Sequence, residues 1–263
     1  MQNKPNYGTW IRKKKLYAFE ALAIFFIGLT AFSFLHLLFI IAAVPAVSFG
    51  YIAVILILTS YRFSAKGGDY QNKIHGLIIR RTSEKKEILD IGCGNGNLAI
   101  KLAKTFPKSG VIGLDYWDKE WEYAASVCEN NARLENAPNT RFIRGSASKL
   151  PFENGSLDCA VSCLTFHEVR DVKEKEYCLA EAIRVLKPNG RFVFLDLFDD
   201  PKHYPEREKY RETIIRHGGM IDEDKAVHEI LNLPFPLDKK QSLRYARIIT
   251  GIKNGPTPAA RGG

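Results

Sequence analysis

The sequence predicts an α/β fold, a doubly wound and mostly parallel sheet, preceded by an α-helical hairpin that crosses a membrane. Three observations carry this reading. No charged residue stands between Glu20 and Arg62, a gap of 41 positions in a chain of 263 residues. Beyond Lys66-Gly67-Gly68, short apolar runs alternate with longer mixed segments, the pattern of strands joined by crossover helices. One of those runs passes directly into a glycine-rich turn, Gly92-Cys93-Gly94-Asn95-Gly96.

The uncharged segment is too long for the apolar core of a signal peptide, roughly 7 to 15 residues. As helix it would reach about 60 Å, close to twice the ~30 Å hydrocarbon thickness, so two crossings are expected. Pro45 lacks an amide hydrogen and suits a first helical turn, which places the break there, with helices over residues 16–42 and 45–61. The second is short, and a re-entrant hairpin remains open. His36 is expected near a helix end or in the turn, where a neutral imidazole is tolerated. Arg12, Lys13, Lys14 and Lys15 precede the pair and Arg62, Lys66, Lys73, Arg80 and Arg81 follow it, so both flanks face the cytoplasm. The lipid bilayer is the expected partner.

Residues 1–66 hold seven basic residues against Glu20 alone and so carry +6 of the formal +9 charge. A surplus beside an apolar segment contacts anionic headgroups, and no nucleic-acid partner is expected. Five cysteines without a paired C-x-x-C pattern read as reduced thiols, and no metal is expected.

The organisation that follows is a basic flank over 1–15, the hairpin over 16–63, a linker and amphipathic helix over 64–86, a catalytic domain over 87–253 and a disordered tail over 254–263. Within 69–81, Ile74, Leu77 and Ile78 fall at helical spacing. Strands are expected at 87–91, 110–115, 140–145, 157–164 and 190–197.

The run from Ile88 to Gly96 joins a buried strand to a turn whose glycines permit unusual dihedrals and close approach of a ligand. A dinucleotide fingerprint would place a third glycine at Asn97, which disfavours a nicotinamide-dependent oxidoreductase. Val111-Ile112-Gly113-Leu114-Asp115 ends a second strand with a carboxylate 19 residues after Gly96, near the spacing for an acid that accepts from ribose hydroxyls. Further on come Arg144-Gly145-Ser146-Ala147, Leu150-Pro151-Phe152, Phe166-His167-Glu168-Val169 and Glu181-Ala182-Ile183-Arg184-Val185-Leu186-Lys187-Pro188-Asn189-Gly190.

Together these segments, over residues 88–198, resemble the ordered motifs of the class I S-adenosylmethionine-dependent methyltransferases. The resemblance implies a Rossmann-like sheet of seven strands ending in an antiparallel pair, here placed at 225–231 and 245–253. It implies S-adenosylmethionine as cofactor, held by Asp90, Gly92, Cys93, Gly94, Gly96, Asp115, Tyr116, Ser146 and Ala147. Ser146 stands where the family's acid meets the adenine amine, and a hydroxyl brings no charge.

Methyl transfer is an in-line displacement that positioning and desolvation accelerate, with a base where the acceptor must lose a proton. His167, after the fourth strand, is the first candidate base, Glu168 the second and Asp196 a weaker third. The tether makes an apolar or membrane-associated small molecule the expected acceptor, its identity and methylated atom open. A catalytically inactive membrane scaffold is the alternative, and binding of labelled S-adenosylmethionine separates it from an enzyme.

Overall fold

The computed structural model describes residues 4–117, 124–206 and 208–255. A parallel sheet covered on both faces needs apolar side chains at successive positions. Strands β1 (Glu87–Ile91), β2 (Gly110–Asp115) and β4 (Leu157–Cys163) supply them, with Ile88, Leu89, Ile91, Val111, Ile112, Leu114, Ala160 and Val161 buried. β3 (Thr140–Arg144), β5 (Leu186–Asp196), β6 (Gly219–Ala226) and β7 (Arg247–Lys253) complete seven strands in the order β3-β2-β1-β4-β5-β7-β6. β7 runs antiparallel to both β5 and β6.

Alternating side chains feed two cores. On one face Ile88, Val111, Val161, Val193 and Ile248 pack with α3 (Tyr70–Ile79), α4 (Asn97–Thr105) and α5 (Ala125–Leu134). On the other, Leu89, Ile112, Ala160, Phe192 and Phe194 meet α6 (Glu176–Arg184) and α7 (Lys209–Arg216). The chain strand order reverses between β1 and β4, and there the C-terminal strand ends open a crevice for ligands.

The expected edge strand at 225–231 lies elsewhere. Residues 219–226 form β6, and the apolar run after it is the short turn α8 (Val227–Ile230). β6 reads as polar because it is an edge, and its carboxylates are spoken for: Glu223 pairs with Arg81, Asp222 with Arg191 and Asp224 with Arg247. The fifth strand also begins earlier than expected, at Leu186.

In the N-terminal region α1 (Lys13–Ala31) and α2 (Ala43–Phe63) pack through Phe19, Phe26 and Phe49, with ring centroids 6.0 and 5.6 Å apart. The break expected at Pro45 lies earlier, in two 3-10 segments over 32–34 and 37–42. Pro45 sits in the first turn of α2, where its missing amide costs no intrahelical bond. His36 terminates the first segment and caps the second, its Nδ1 accepting from the Leu38 amide at 3.3 Å. Residues 37–63 form one helical stretch of 27 residues that contains an 18-residue window of mean hydropathy 2.5 and is long and apolar enough to cross a membrane. Lys13, Lys14, Lys15 and Glu20 keep α1 below that standard of apolarity. Residues 256–263, in the expected tail, lie outside the described residues.

A tight turn and a hydrogen bond join α2 to the domain. A Cβ on Gly67 would stand 1.8 Å from the Tyr61 carbonyl oxygen, so the chain turns there only without a side chain. Arg62 Nε donates to the Phe235 carbonyl at 3.2 Å.

Arg247, opposite Asp196 in the β5–β7 register, reaches Asp224 at 2.7 Å and Asp199 at 3.1 Å and so pins the turn that leaves β5. Replacing it with Met removes one of the two cations on the buried Asp224 carboxylate, Arg211 at 2.5 Å being the other, and also the cation on Asp199 Oδ2, so Arg247→Met is expected to lower stability by about 3 kcal/mol in denaturant titration. An unchanged midpoint would show that the cluster contributes nothing net.

Candidate active site

β1 delivers its chain into a turn that only glycine can make. Gly92, Gly94 and Gly96 have φ of 78°, 56° and 80°, and a Cβ on Gly92 would stand 2.1 Å from Thr165. The Gly92 and Cys93 amides donate to the Leu114 carbonyl at 2.7 and 3.0 Å, tying the turn to the end of β2. Asp115, the last residue of β2, accepts from the Gly94 amide and the Trp117 amide, both at 2.8 Å. Trp117 Nε1 in turn donates to the Gly94 carbonyl at 2.9 Å. One carboxylate thus orders both loops around it.

Asp90 is buried beside this turn. Its carboxylate accepts from the Ala99 amide, while Oδ2 has no hydrogen-bond partner among the described residues. Burial, and then the charge of Asp115, push its pKa up to about 8. An orphaned carboxylate oxygen beside a glycine cradle fits a ligand that brings a positive charge or a hydrogen-bond donor.

A cavity of about 590 Å3 opens over these groups. Asp90, Gly92, Cys93, Gly94, Asp115, Tyr116, Ser146, Ala147, His167 and Glu168 all line it. Gly96 does not, and acts from behind as the residue preceding α4, packed close to Phe142. Ser146 has company the sequence did not announce: its Oγ lies 2.9 Å from Ser148 Oγ, which donates to Asp171 Oδ2 at 2.7 Å. Desolvation raises the Asp171 pKa, but the hydrogen bonds from both serines outweigh it and hold the carboxyl below its ordinary value.

His167 and Asp196 meet at the ends of β4 and β5. His167 Nδ1 lies 2.5 Å from Asp196 Oδ1, and the His167 amide donates to Asp196 Oδ2 at 3.2 Å. The Leu197 amide completes the shell of this fully buried carboxylate at 2.6 Å. Burial alone would lower the imidazole pKa; Asp196, Glu168 and Asp200 outweigh it and raise it above 6.5. With Nδ1 committed to Asp196, Nε2 is the nitrogen left for a substrate proton.

The far wall comes from outside the motif-bearing region. Tyr7, Trp10 and Ile11 of the N-terminal segment, Thr59 and Phe63 of α2, Gln71 and His75 of α3, and Leu243 also line the cavity. Trp10 packs edge-on to Phe63 and His75 with centroids 5.0 and 5.4 Å apart. Burial and the nearby Lys101 hold His75 well below its ordinary pKa, so it is a neutral group at this wall. No spacing signal in the sequence links Trp10 to β1.

Residues 88–190 match the family model described as a methyltransferase domain. Phthiotriol/phenolphthiotriol dimycocerosates methyltransferase of Mycobacterium tuberculosis is 30% identical over 137 residues, 50% of this chain and 47% of that protein. Demethylmenaquinone methyltransferase of Lactococcus lactis is 36% identical over 110 residues, 41% of each chain. The chain therefore matches less than half the length of either relative. The solved structure of geranyl diphosphate C-methyltransferase from Streptomyces coelicolor superposes with a TM-score of 0.54 at 14% identity, covering 73% of this chain and 82% of that one, a likeness of fold. The glycine turn and the strand order agree with that match, and residues 88–190 of the chain carry a methyltransferase domain.

Proposed function

We propose that this chain is a membrane-anchored enzyme that transfers a methyl group from S-adenosylmethionine to an apolar, membrane-associated small molecule, with its catalytic domain on the cytoplasmic side. The observation that carries the membrane part is the dual placement of α2. Val44, Val47, Tyr51, Val54 and Ile57 are exposed along it, while Thr59 and Phe63 at its end stand in the cavity wall. An exposed apolar surface of this kind suits lipid, and an acceptor dissolved in that lipid would reach the cavity without crossing water. The relatives' names support the same acceptor class, since one carries dimycocerosates and the other a quinone.

Bound S-adenosylmethionine supplies an electrophilic methyl on a sulfonium. Toward it, the turn of Gly92 and Gly94 gives backbone approach, and Asp115 is the acceptor for ribose hydroxyls. Asp90, with its unpartnered Oδ2, would meet the cationic amino-acid end of the cofactor and become ionised there. Ser146, in its chain with Ser148 and Asp171, receives the adenine edge. Trp10, Phe63 and Leu243 exclude water and place the acceptor, and His167 Nε2 takes its proton while Asp196 stabilises the imidazolium.

Labelled S-adenosylmethionine incubated with the full-length protein and a total membrane lipid extract should yield a labelled product that partitions into organic solvent; label found only in water-soluble products would sink the acceptor class. Asp115→Ala is expected to weaken S-adenosylmethionine binding by ~2–4 kcal/mol in calorimetry, because two hydrogen bonds to a charged acceptor are lost. Unaltered affinity would refute the ribose role.

His167 acts as a base only when neutral, and its pKa is raised, so turnover is expected to fall as pH drops through a value above 6.5. His167→Gln is expected to lower kcat by roughly 10²- to 10⁴-fold and to abolish that acidic limb. Retention of the limb in the variant would assign it to another group.

A further inference from the structure

Arg12 is the last residue before α1, at the head of the basic run that ends with Lys15. It is also an active-site neighbour. Its Nη2 lies 2.5 Å from Glu168 Oε2, with both side chains partly withdrawn from solvent. Glu168 in turn has its other oxygen, Oε1, 3.9 Å from His167 Nε2, beyond hydrogen-bond reach. The carboxylate that could occupy the proton-accepting nitrogen is thus held by a residue of the membrane-proximal segment.

That segment is docked just upstream of Arg12. Upstream, the Asn6 amide donates to Asn131 Oδ1 at 2.8 Å, and Asn131 Nδ2 donates back to the Asn6 carbonyl at 3.0 Å. The same Nδ2 donates to the Asn95 carbonyl in the glycine turn, which joins segment and nucleotide loop through one side chain. Thr9 Oγ1 meets Ser60 Oγ of α2 at 3.0 Å, and Trp10 is seated on Phe63 and His75. Downstream the chain enters α1 at once.

We propose that Arg12 is a positioning residue for the base: by pairing with Glu168 it keeps that carboxylate off His167 Nε2, so that the base is available only when the N-terminal segment is docked over the cavity. The inference rests on the reading of His167 as base. The other groups facing the imidazole are Asp196 at the end of β5, Asp200 and His203 in the loop that follows, and Glu168 on its own turn. None of these is a fixed cation. Arg12, paired with Glu168, is therefore a positive group whose loss lets Glu168 stabilise a protonated imidazole, and it belongs to the segment that leads into the proposed anchor.

The test uses the full-length protein in nanodiscs of anionic lipid, with 15N-labelled histidine and His167→Gln for assignment. Two readouts are taken, the midpoint of His167 titration by NMR and the pH profile of labelled methyl transfer into the lipid extract. Arg12→Gln should raise the midpoint by about one pH unit, as expected for releasing a carboxylate about 4 Å from an imidazole. Turnover near neutrality should then fall several-fold while S-adenosylmethionine affinity changes little. Arg12→Lys should restore most of the midpoint, and Arg12→Gln with Glu168→Gln should bring it back near that of the unaltered protein. An unmoved midpoint in Arg12→Gln, or a double variant as shifted as the single one, would overturn the proposal. A midpoint that moves while the rate profile does not would uphold the Arg12–Glu168–His167 coupling and remove His167 as the base.

Discussion

Three carboxylates, Asp90, Asp115 and Asp196, stand at the C-terminal ends of β1, β2 and β5, along one edge of a sheet buried on both faces. Desolvated like charges at one edge are costly unless each is given a partner, and the architecture of the site follows from how each is treated. Asp115 takes backbone amides from its own loop and from the glycine turn, which forces those loops together. Asp196 takes two amides and an imidazole, which fixes the orientation of His167. Asp90 keeps one oxygen without a hydrogen-bond partner among the described residues, and burial and the charge of Asp115 raise its pKa. A cationic ligand is the missing term in that electrostatic account, and the family's sulfonium- and ammonium-bearing cofactor has the right sign.

Much of this was legible from order and spacing. The strand-turn at Ile88–Gly96 and the acid at 115 need only local chain geometry, because both sides of the nucleotide loop come from adjacent parallel strands in near-constant register. His167 was visible as a residue following a strand and Asp196 as one ending a strand. Their pairing was not, because it depends on β4 and β5 lying side by side with Cys163 opposite Leu195. The misplacement of the sixth strand has a different origin. Period-2 apolarity marks strands with a buried face, whereas β6 is an edge whose acidic residues are balanced by arginines from 81, 191 and 247, far away in sequence.

The far wall of the cavity was out of reach for a further reason. Trp10, Phe63 and His75 belong to three elements that precede the first strand, and their convergence is decided by α3 packing its buried face, Ile74, Leu77 and Ile78, onto the sheet. Sequence pattern identified that face as apolar but carried no information on what its other side would support. The Pro45 break failed similarly: proline permits a helix start at several positions of a first turn, and the turn at 32–42 was set by the segment around His36.

The cavity brings polar and apolar groups into one lining. Asp90, Asp115 and the glycine turn line it together with Trp10, Ile11, Phe63 and Leu243, and Phe63 ends a helix whose outer surface is apolar and exposed. His167 lines the same cavity, with Asp196 hydrogen-bonded to it. On the proposed reading, a charged, hydrophilic cofactor and an apolar acceptor have opposite preferences among these groups, which sorts them without a dedicated discriminating contact. On the proposed reading the methyl group and the atom that receives it are brought together at the one place where those preferences meet. His167, held by a buried carboxylate, lines that cavity too, and on the same reading the sorting of the two ligands by polarity brings the acceptor's reacting end toward the base.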